Sequence, residues 1–402
     1  MSTAIIGTIP LDRFPVKFRA VSLDVDRILD EESAREHLHD FGDPSFRDGL
    51  EQIVASWTDE AGLNAVGWAS ADGGVRSALR NRLRVTDWHA RFPRLARAVE
   101  GPLIIVGLPR TGTTALSHLL ARDPENRSLL LWEGSDPVPP PMRATYATDP
   151  RFERARTQGM ALYEMRPDLK AMHYDPPDAP VECSVLLGQT FTNLSLSTLY
   201  NVPSYDEWLL GAGVDWHAAY SYHRQVLQIL QSDYDGRWQL KAPAHGLAME
   251  AVHATYPDAR FVMTHRDPAQ AVASVCSLVD AISGVFSDVD HREYIASHWP
   301  ETLGTIADRL LDYRDAHGDE SFFDVDYHEL VSDPVATVSS MYDHFGIVLS
   351  EDAERAMRHW SGDHGPGEHG RHEYSLAEFG LRPAQIDERF SRYLARFEVG
   401  GE

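Results

Sequence analysis

The stretch that most constrains the fold is an uninterrupted apolar run over residues 103–107 that enters a tight turn ending at Gly112. Leucines at helical spacing follow over residues 116–120. An apolar run without alternation is typical of a strand buried on both faces, and such strands belong to parallel sheets. The pattern therefore predicts a strand, a phosphate-cradling loop and a helix, in that order.

The turn carries the groups that an anion needs. Its glycines let the backbone come close to a ligand, and the N-terminus of the following helix offers unpaired N–H groups and a partial positive charge. Arg110 adds a cation, and Thr113 and Thr114 add two hydroxyl groups. We therefore predict an anion-binding site at this turn.

Further strands are predicted over residues 238–240, 260–264 and 322–325, with helical patterns between them. Repeated β-α units predict an α/β fold, a P-loop-like doubly wound parallel sheet flanked by helices. Cations follow two of these strands, namely Lys241 and Arg266. Because the carboxyl ends of the strands face the ligand crevice in such sheets, we expect both cations near the turn.

The rest of the chain reads as mostly helical. Residues 1–100 are predicted to form an N-terminal helical region packed on the core, with breaks at 42–44 and 71–74 and an extended start up to about residue 20. Residues 101–402 are predicted to form the α/β domain, with a helical insertion at about 143–235. This insertion is predicted to be a wall of the acceptor pocket; the alternative is that it only packs.

Composition excludes several functions. The formal charge of −24 argues against nucleic acid and anionic membranes as partners. Two cysteines, Cys183 and Cys276, allow neither a disulfide framework nor a CxxC metal site. No apolar run approaches transmembrane length and the N-terminus does not read as a signal, so a cytoplasmic protein is expected. The sequence leaves open whether the chain forms a homo-oligomer.

A histidine-rich tract lies at residues 361–373. Such a tract can bind a metal. Glycine and proline between the histidines leave it without the rigid spacing of a zinc helix, so a flexible closing loop is favoured. No metal is expected.

The turn also has the glycine spacing of the nucleotide-binding P-loop, GxxxxGK[ST], from Gly107 through Gly112 to Thr114. The lysine position of that motif is occupied by Thr113, and the cation stands earlier, at Arg110. A Walker loop uses its lysine on the β- and γ-phosphates. A nucleotide or small-molecule kinase is therefore disfavoured but stays an alternative, as does a non-catalytic nucleotide-binding protein.

Four segments in the same order resemble the PAPS-dependent sulfotransferases. Residues 109–114, Pro-Arg-Thr-Gly-Thr-Thr, resemble their 5′-phosphosulfate loop, and Arg266 with Ser274 resembles their 3′-phosphate pair. Tyr327 begins a segment similar to the family's Tyr-x-x-Leu-x-x-x-Pro. Residues 240–243, Leu-Lys-Ala-Pro, are similar to the tyrosylprotein and bacterial branches. The resemblance covers about residues 103–375.

The resemblance implies an enzyme that transfers the sulfuryl group of 3′-phosphoadenosine-5′-phosphosulfate (PAPS) to a hydroxyl or amine of a small-molecule or lipid acceptor, leaving the bisphosphate PAP. It places Arg266 and Ser274 on the 3′-phosphate and Tyr327 near the nucleoside. Where many members carry an Arg-Lys-Gly loop on the 3′-phosphate, this chain offers Arg371. The resemblance assigns five residues to the 5′-phosphosulfate: Arg110, Thr111, Gly112, Thr113 and Thr114.

Transfer also needs groups that stabilise the leaving phosphate and a general base. Lys241 and Arg110 are predicted to stabilise the leaving group. Three residues compete as the base, in the order Glu133, His245 and Glu182. Glu133 resembles in position the glutamate base of tyrosylprotein sulfotransferases, and His245 lies two residues beyond the position of the catalytic histidine in cytosolic members. Their structural alternatives are a hydrogen-bonded loop carboxylate, a helix cap and, for Glu182, a partner of a helix dipole.

The sequence feature that bears on the identity of the acceptor is a group of aromatic residues in the insertion. They predict an apolar pocket for a lipid, polyketide or phenolic compound, with ordinary core packing as the alternative. The residues are Trp208, Trp216, Tyr220 and Tyr222.

Overall fold

The structure is a computed structural model that describes residues 23–172, 176, 178–364, 374–397 and 399. The extended start predicted up to about residue 20 and the proposed cofactor contact of Arg371 lie outside the described residues. So does most of the histidine-rich tract, of which residues 361–364 are described.

A five-stranded parallel sheet forms the centre of the fold, in the order β2-β3-β1-β4-β5. β1 is central, and the chain visits one side of it through β2 and β3 and the other through β4 and β5. This reversal beside β1 is the position where ligands bind in doubly wound sheets. The predicted α/β fold is confirmed. The strands are β1 Leu103–Gly107, β2 Asn126–Ser128, β3 Arg237–Lys241, β4 Arg260–His265 and β5 Phe322–Asp326.

Helices cover both faces of the sheet and surround it. In chain order they are α1 Val25–Glu36, α2 Phe46–Asp59, α3 Ala65–Arg91, α4 Thr113–Leu120, α5 Leu131–Ser135, α6 Pro150–Met165, α7 Leu169–Met172, α8 Ser184–Leu187, α9 Leu194–Leu199, α10 Pro203–Leu210, α11 Trp216–Leu230, α12 Met249–Thr255, α13 Pro268–Phe286, α14 Arg292–His317, α15 Tyr327–Ser332, α16 Pro334–His344, α17 Glu351–Asp363, α18 Pro383–Arg389 and α19 Ser391–Phe397.

β1 is buried on both faces, as its continuous apolar pattern predicts. Leu103 and Ile105 pack in a cluster with residues of α4 and α16, whereas Ile104 and Val106 belong to the larger cluster on the opposite face. That larger cluster also includes Ile28 of α1 and other residues of the first three helices. The N-terminal helices therefore share one core with the sheet.

α3 corrects one prediction. The break expected at residues 71–74 is absent, and the helix continues for 27 residues. Each helix-interior glycine costs about 1 kcal/mol relative to alanine. Ala71, Val75 and Leu79 are buried against the core on one side of this stretch. Tertiary packing therefore outweighs the weak helix propensity of Gly73 and Gly74.

α13 is apolar enough to resemble a membrane span, because an 18-residue window of this 19-residue helix has a mean hydropathy of 1.5. In the fold 67% of that window is buried, and the helix packs against α3, α9 and α14. It is a core helix, and it places Ser274 beside the turn that follows β1.

Candidate functional site

Two glycines determine the shape of the loop between β1 and α4. Gly107 has φ of +118°, and a Cβ there would lie 2.7 Å from the carbonyl oxygen of Thr264. Gly112 has φ of +93°, and its Cβ would lie 3.0 Å from Leu330. Both positions lie in the left-handed region that favours glycine. The loop can therefore follow this path only with glycine at each end.

Thr111 holds the loop to the neighbouring strand. Its buried hydroxyl donates to the carbonyl oxygen of Leu108 at 2.6 Å and lies 2.6 Å from the Oγ1 of Thr264 in β4. Thr113 and Thr114 begin α4, where backbone N–H groups have no intrahelical partner. The Thr111 side chain is thus engaged within the fold, while the next two threonines stand at the helix N-terminus.

A cavity of about 200 Å³ lies over this N-terminus. It brings together residues predicted from distant parts of the sequence, so the turn, the end of β4 and the start of α15 meet at one place. Its lining includes Arg110, Gly112, Thr113, Thr114, Glu182, Arg266 and Tyr327.

Two arginines approach each other at the edge of the cavity. Arg110 is in the left-handed region at φ of +71° and its Nε donates to the Ser274 hydroxyl at 3.0 Å. Arg266 Nη1 donates to the carbonyl oxygen of Arg110 at 3.0 Å. Burial lowers the pKa of Arg110, and the nearby charge of Arg266 acts in the same direction, against the effect of Tyr374. Such a pair of cations favours an anion between them.

Arg266 is held by its surroundings. Its guanidinium lies 4.2 Å from the ring centroid of Tyr327, within the range of a cation–π contact. Its Nη2 donates to the Oε1 of Gln270 at 2.8 Å, and Tyr374 lies at 3.5 Å. Sequence reasoning missed Gln270 and Tyr374, although the i, i+4 spacing of Arg266 and Gln270 was a usable signal. Ser274, predicted to act with Arg266, contacts Arg110 instead.

Lys241 joins three elements beside the cavity. At the end of β3 it is 1% exposed, and its Nζ donates to the Thr114 hydroxyl at 3.1 Å. The same nitrogen lies 3.6 Å from Oε1 of Glu182, which precedes α8. The other carboxylate oxygen of Glu182 accepts a hydrogen bond from Ser184 at 2.9 Å. A cation and a carboxylate therefore stand together next to the anion-binding loop.

Glu133 occupies a different environment. It is fully buried and does not line the cavity. Its Oε1 accepts hydrogen bonds from Arg127 at 2.7 Å and from the Tyr146 hydroxyl at 3.0 Å. Burial raises the pKa of Glu133, and the ion pair with Arg127 acts in the opposite direction. Its catalytic role stays a prediction, while its contacts favour a structural one.

His245 is also buried away from the cavity lining. Its Nδ1 lies 2.7 Å from the Tyr220 hydroxyl, and its Nε2 has no hydrogen-bond partner among the described residues. Burial lowers the pKa of His245 to about 4. A histidine that binds a proton so weakly is a poor general base at neutral pH.

The predicted aromatic group lies in the core and at its edge. Tyr220 and Tyr222 are buried, and Trp208 and Trp216 are partly buried against the same core cluster. None of the four lines the cavity over α4. Across the described part of the chain, no group of three or more His, Cys, Asp or Glu residues is arranged to hold a metal ion.

Comparisons with known proteins agree with this arrangement. Residues 102–351 match the model of the sulfotransferase family. The chain is similar to the solved structures of sulfotransferase STF1 from Mycobacterium tuberculosis (33% identity, TM-score 0.81, covering 93% of this chain and 100% of that one) and STF9 from Mycobacterium avium (31%, 0.84, 96% and 99%). It is also 22% identical over 316 residues to the omega-hydroxy-beta-dihydromenaquinone-9 sulfotransferase Stf3 of Mycobacterium bovis. The aligned residues cover 76% of this chain and 77% of that protein.

Proposed function

The chain belongs to the sulfotransferase family, and we propose that it transfers the sulfuryl group of PAPS to a hydroxyl of a lipid or other small-molecule acceptor. The lipid class is suggested by the name of Stf3, whose substrate is a hydroxylated menaquinone derivative. A cytoplasmic location, which the sequence also predicts, stays a prediction.

The observation that carries the PAPS assignment is the pair of arginines at the cavity. In the described part of the chain, neither Arg110 nor Arg266 has a carboxylate partner, although the protein has 61 acidic residues and only 37 basic ones. Cations left without carboxylates in such an acidic chain favour an anionic ligand. PAPS carries two anionic groups on its ribose, a 3′-phosphate and a 5′-phosphosulfate, so it offers one anionic group to each of these neighbouring arginines.

The residues present fit PAPS as follows. Arg110 and the N-terminus of α4 would hold the 5′-phosphosulfate. Arg266 would hold the 3′-phosphate, with Tyr327 beneath its guanidinium. Ser274, bonded to Arg110, would orient that arginine as well as donate to the ligand. When bound, PAPS supplies the sulfuryl group and a phosphate as the leaving group.

The chain's own residues then divide the remaining work. The acceptor oxygen forms the new S–O bond as the bond to the phosphate breaks, and the bond electrons leave with the phosphate. Lys241 and Arg110 stabilise the negative charge that develops there. Glu182 takes the proton of the acceptor hydroxyl, because it is the carboxylate that lines the cavity beside Lys241.

The proposal is tested by transfer of label from ³⁵S-PAPS to a panel of phenols, alkanols and hydroxylated isoprenoid quinones. We expect labelled ester with at least one lipid alcohol and thermal stabilisation of the protein by PAP. Stabilisation by ATP and Mg²⁺ but not by PAP would contradict the proposal and favour the kinase alternative. Tight binding of PAP with no transfer to any acceptor would favour the non-catalytic one.

A further inference from the structure

A second, larger cavity of about 400 Å³ lies between α3, α5, α6 and the segment from α8 to α9. Its volume is in the range of small-molecule sites, about 300–1,000 Å³. Its lining combines polar and charged residues with apolar and aromatic ones, which include Trp57, Trp132, Val185, Leu196 and Tyr200. It shares no lining residue with the cavity over α4.

The glycine at position 73 indicates that the sequence itself leaves the larger cavity open. Gly67, in the same helix, must be glycine, because a Cβ there would lie 2.2 Å from the carbonyl oxygen of Phe286. A Cβ at Gly73 would meet no atom of the described residues within 4 Å, and its φ is not positive. Neither packing nor backbone conformation therefore requires glycine at this position, yet a helix-interior glycine costs about 1 kcal/mol relative to alanine. What Gly73 does provide is room in the cavity that it lines.

One short backbone segment contributes a lining residue to each of the two cavities. Glu182 lines the cavity over α4, and Val185, three residues later, lines the larger one. Because consecutive Cα atoms are about 3.8 Å apart, these two residues are separated by at most about 11 Å along the backbone. The two cavities therefore border the segment before and within α8 at positions no more than about 11 Å apart.

Charged side chains also line the larger cavity, and they form ion pairs with one another or with neighbouring residues. Asp136 lies 3.4 Å from Arg84 Nη1 and 2.9 Å from Arg154 Nη2. Arg151 pairs with Asp149 at 2.6 Å. Apolar lining residues beside paired charges suit an apolar chain or ring rather than a second anion, because Arg84, Arg151 and Arg154 already have carboxylate partners.

We propose that the larger cavity binds the apolar portion of the acceptor, while the acceptor hydroxyl lies beside Glu182 and receives the sulfuryl group there. The acceptor class is then a hydroxyl-bearing amphiphile with an alkyl or isoprenoid body. This inference rests on the proposed function, and it gives α3 of the N-terminal helices a role in selecting the acceptor.

The first test measures binding without transfer. Trp57 and Trp132 line the cavity, so 12-bromododecan-1-ol bound there should quench tryptophan fluorescence saturably. Gly73→Leu fills the space and should weaken this binding at least tenfold. Ser77→Leu, at another lining residue, should weaken binding in the same way. It replaces the first variant if Gly73→Leu folds poorly. Gly284→Leu is the matched control, because Gly284 is exposed in α13 and its Cβ would also meet nothing within 4 Å.

The second test measures turnover. With PAPS as donor, Gly73→Leu should lower kcat/KM for 1-dodecanol at least tenfold and leave that for 1-butanol within twofold. Wild-type protein that does not bind the bromoalcohol, or folded leucine variants that bind it as wild type does, would overturn the inference. Absence of transfer to any alcohol would count against the proposed function, whereas the quenching experiment would still decide whether the cavity binds the amphiphile.

Discussion

Exchanging two buried glutamates for glutamine, one at a time, separates catalysis from structure. Glu182 is 3% exposed, lines the cavity over α4 and lies 3.6 Å from Lys241 Nζ. Glu133 is fully buried and forms a 2.7 Å ion pair with Arg127. Glutamine preserves the shape of each side chain and removes its charge and its basicity.

Glu182→Gln should lower kcat by about 10²–10⁴, the usual contribution of a general base. That loss corresponds to about 3–5 kcal/mol of activation free energy. Lys241 would keep its hydrogen bond to the Thr114 hydroxyl at 3.1 Å. We therefore expect the affinity for PAP to stay within about threefold of the wild type, because the arginines that would bind the nucleotide are unchanged.

Glu133→Gln should have the opposite profile. Removing one partner of a buried ion pair costs about 3–5 kcal/mol, because the remaining charge of Arg127 is left buried without compensation. The midpoint of thermal unfolding should fall by several degrees. The value of kcat per folded molecule should stay close to that of the wild type, because Glu133 does not line the cavity.

The assay is transfer of ³⁵S from PAPS at saturating acceptor, with the folded fraction followed by circular dichroism and the affinity for PAP by calorimetry. The reasoning would be refuted by the reverse pattern, in which a stably folded Glu133→Gln variant loses turnover and Glu182→Gln retains it. Glu133 would then be the base, as its position in the sequence first suggested.

Three further predictions concern the nucleotide site and stability. Arg266→Ala should weaken PAP binding about 10- to 100-fold by calorimetry, because a hydrogen bond to a charged group contributes about 1.5–3 kcal/mol; an unchanged affinity would remove Arg266 from the site. Lys241→Met should lower kcat far more than it weakens PAP binding, since the ammonium acts on charge that develops during transfer; equal losses in both would indicate a binding role. Burial raises the pKa of Asp206 to about 7. Between pH 5 and 7 the folded protein therefore holds a proton on this carboxylate that the unfolded chain has released. The contribution of Asp206 to the free energy of unfolding should fall by about 2 kcal/mol as the pH rises from 5 to 7. Urea denaturation of wild type and Asp206→Asn should show that this part of the pH dependence is absent from the variant, and identical pH dependences would contradict the assignment.

The strands that the sequence predicted lie where it placed them. The run at 103–107 coincides with β1, and the other three predicted runs fall within β3, β4 and β5. The missed strand is β2, Asn126–Ser128. It has three polar residues and is a strand only through its pairing with β3. The local pattern of residues does not indicate which strands pair, so β2 could not be predicted from the sequence.

The same limit explains the error in α3. A Gly-Gly pair favours a break when it is judged by local propensity, but the helix is stabilised by buried contacts with residues far away in the chain. Propensity is a weak prior that packing overrides. The sequence contained the glycines, and the fold shows that Gly73 borders open space instead of ending a helix.

The strand, the glycine loop and the helix start are readable from consecutive residues, because they depend on local pattern and on backbone angles that only glycine adopts easily. The sequence also placed Lys241 and Arg266 at strand ends, which a parallel sheet brings to one edge. The identity of the carboxylate beside the loop depends instead on tertiary packing. Glu133 and Glu182 are both buried glutamates, and they differ in their partners, Arg127 in one case and Lys241 in the other. Those partners are chosen by how distant elements pack, which no local pattern of residues specifies.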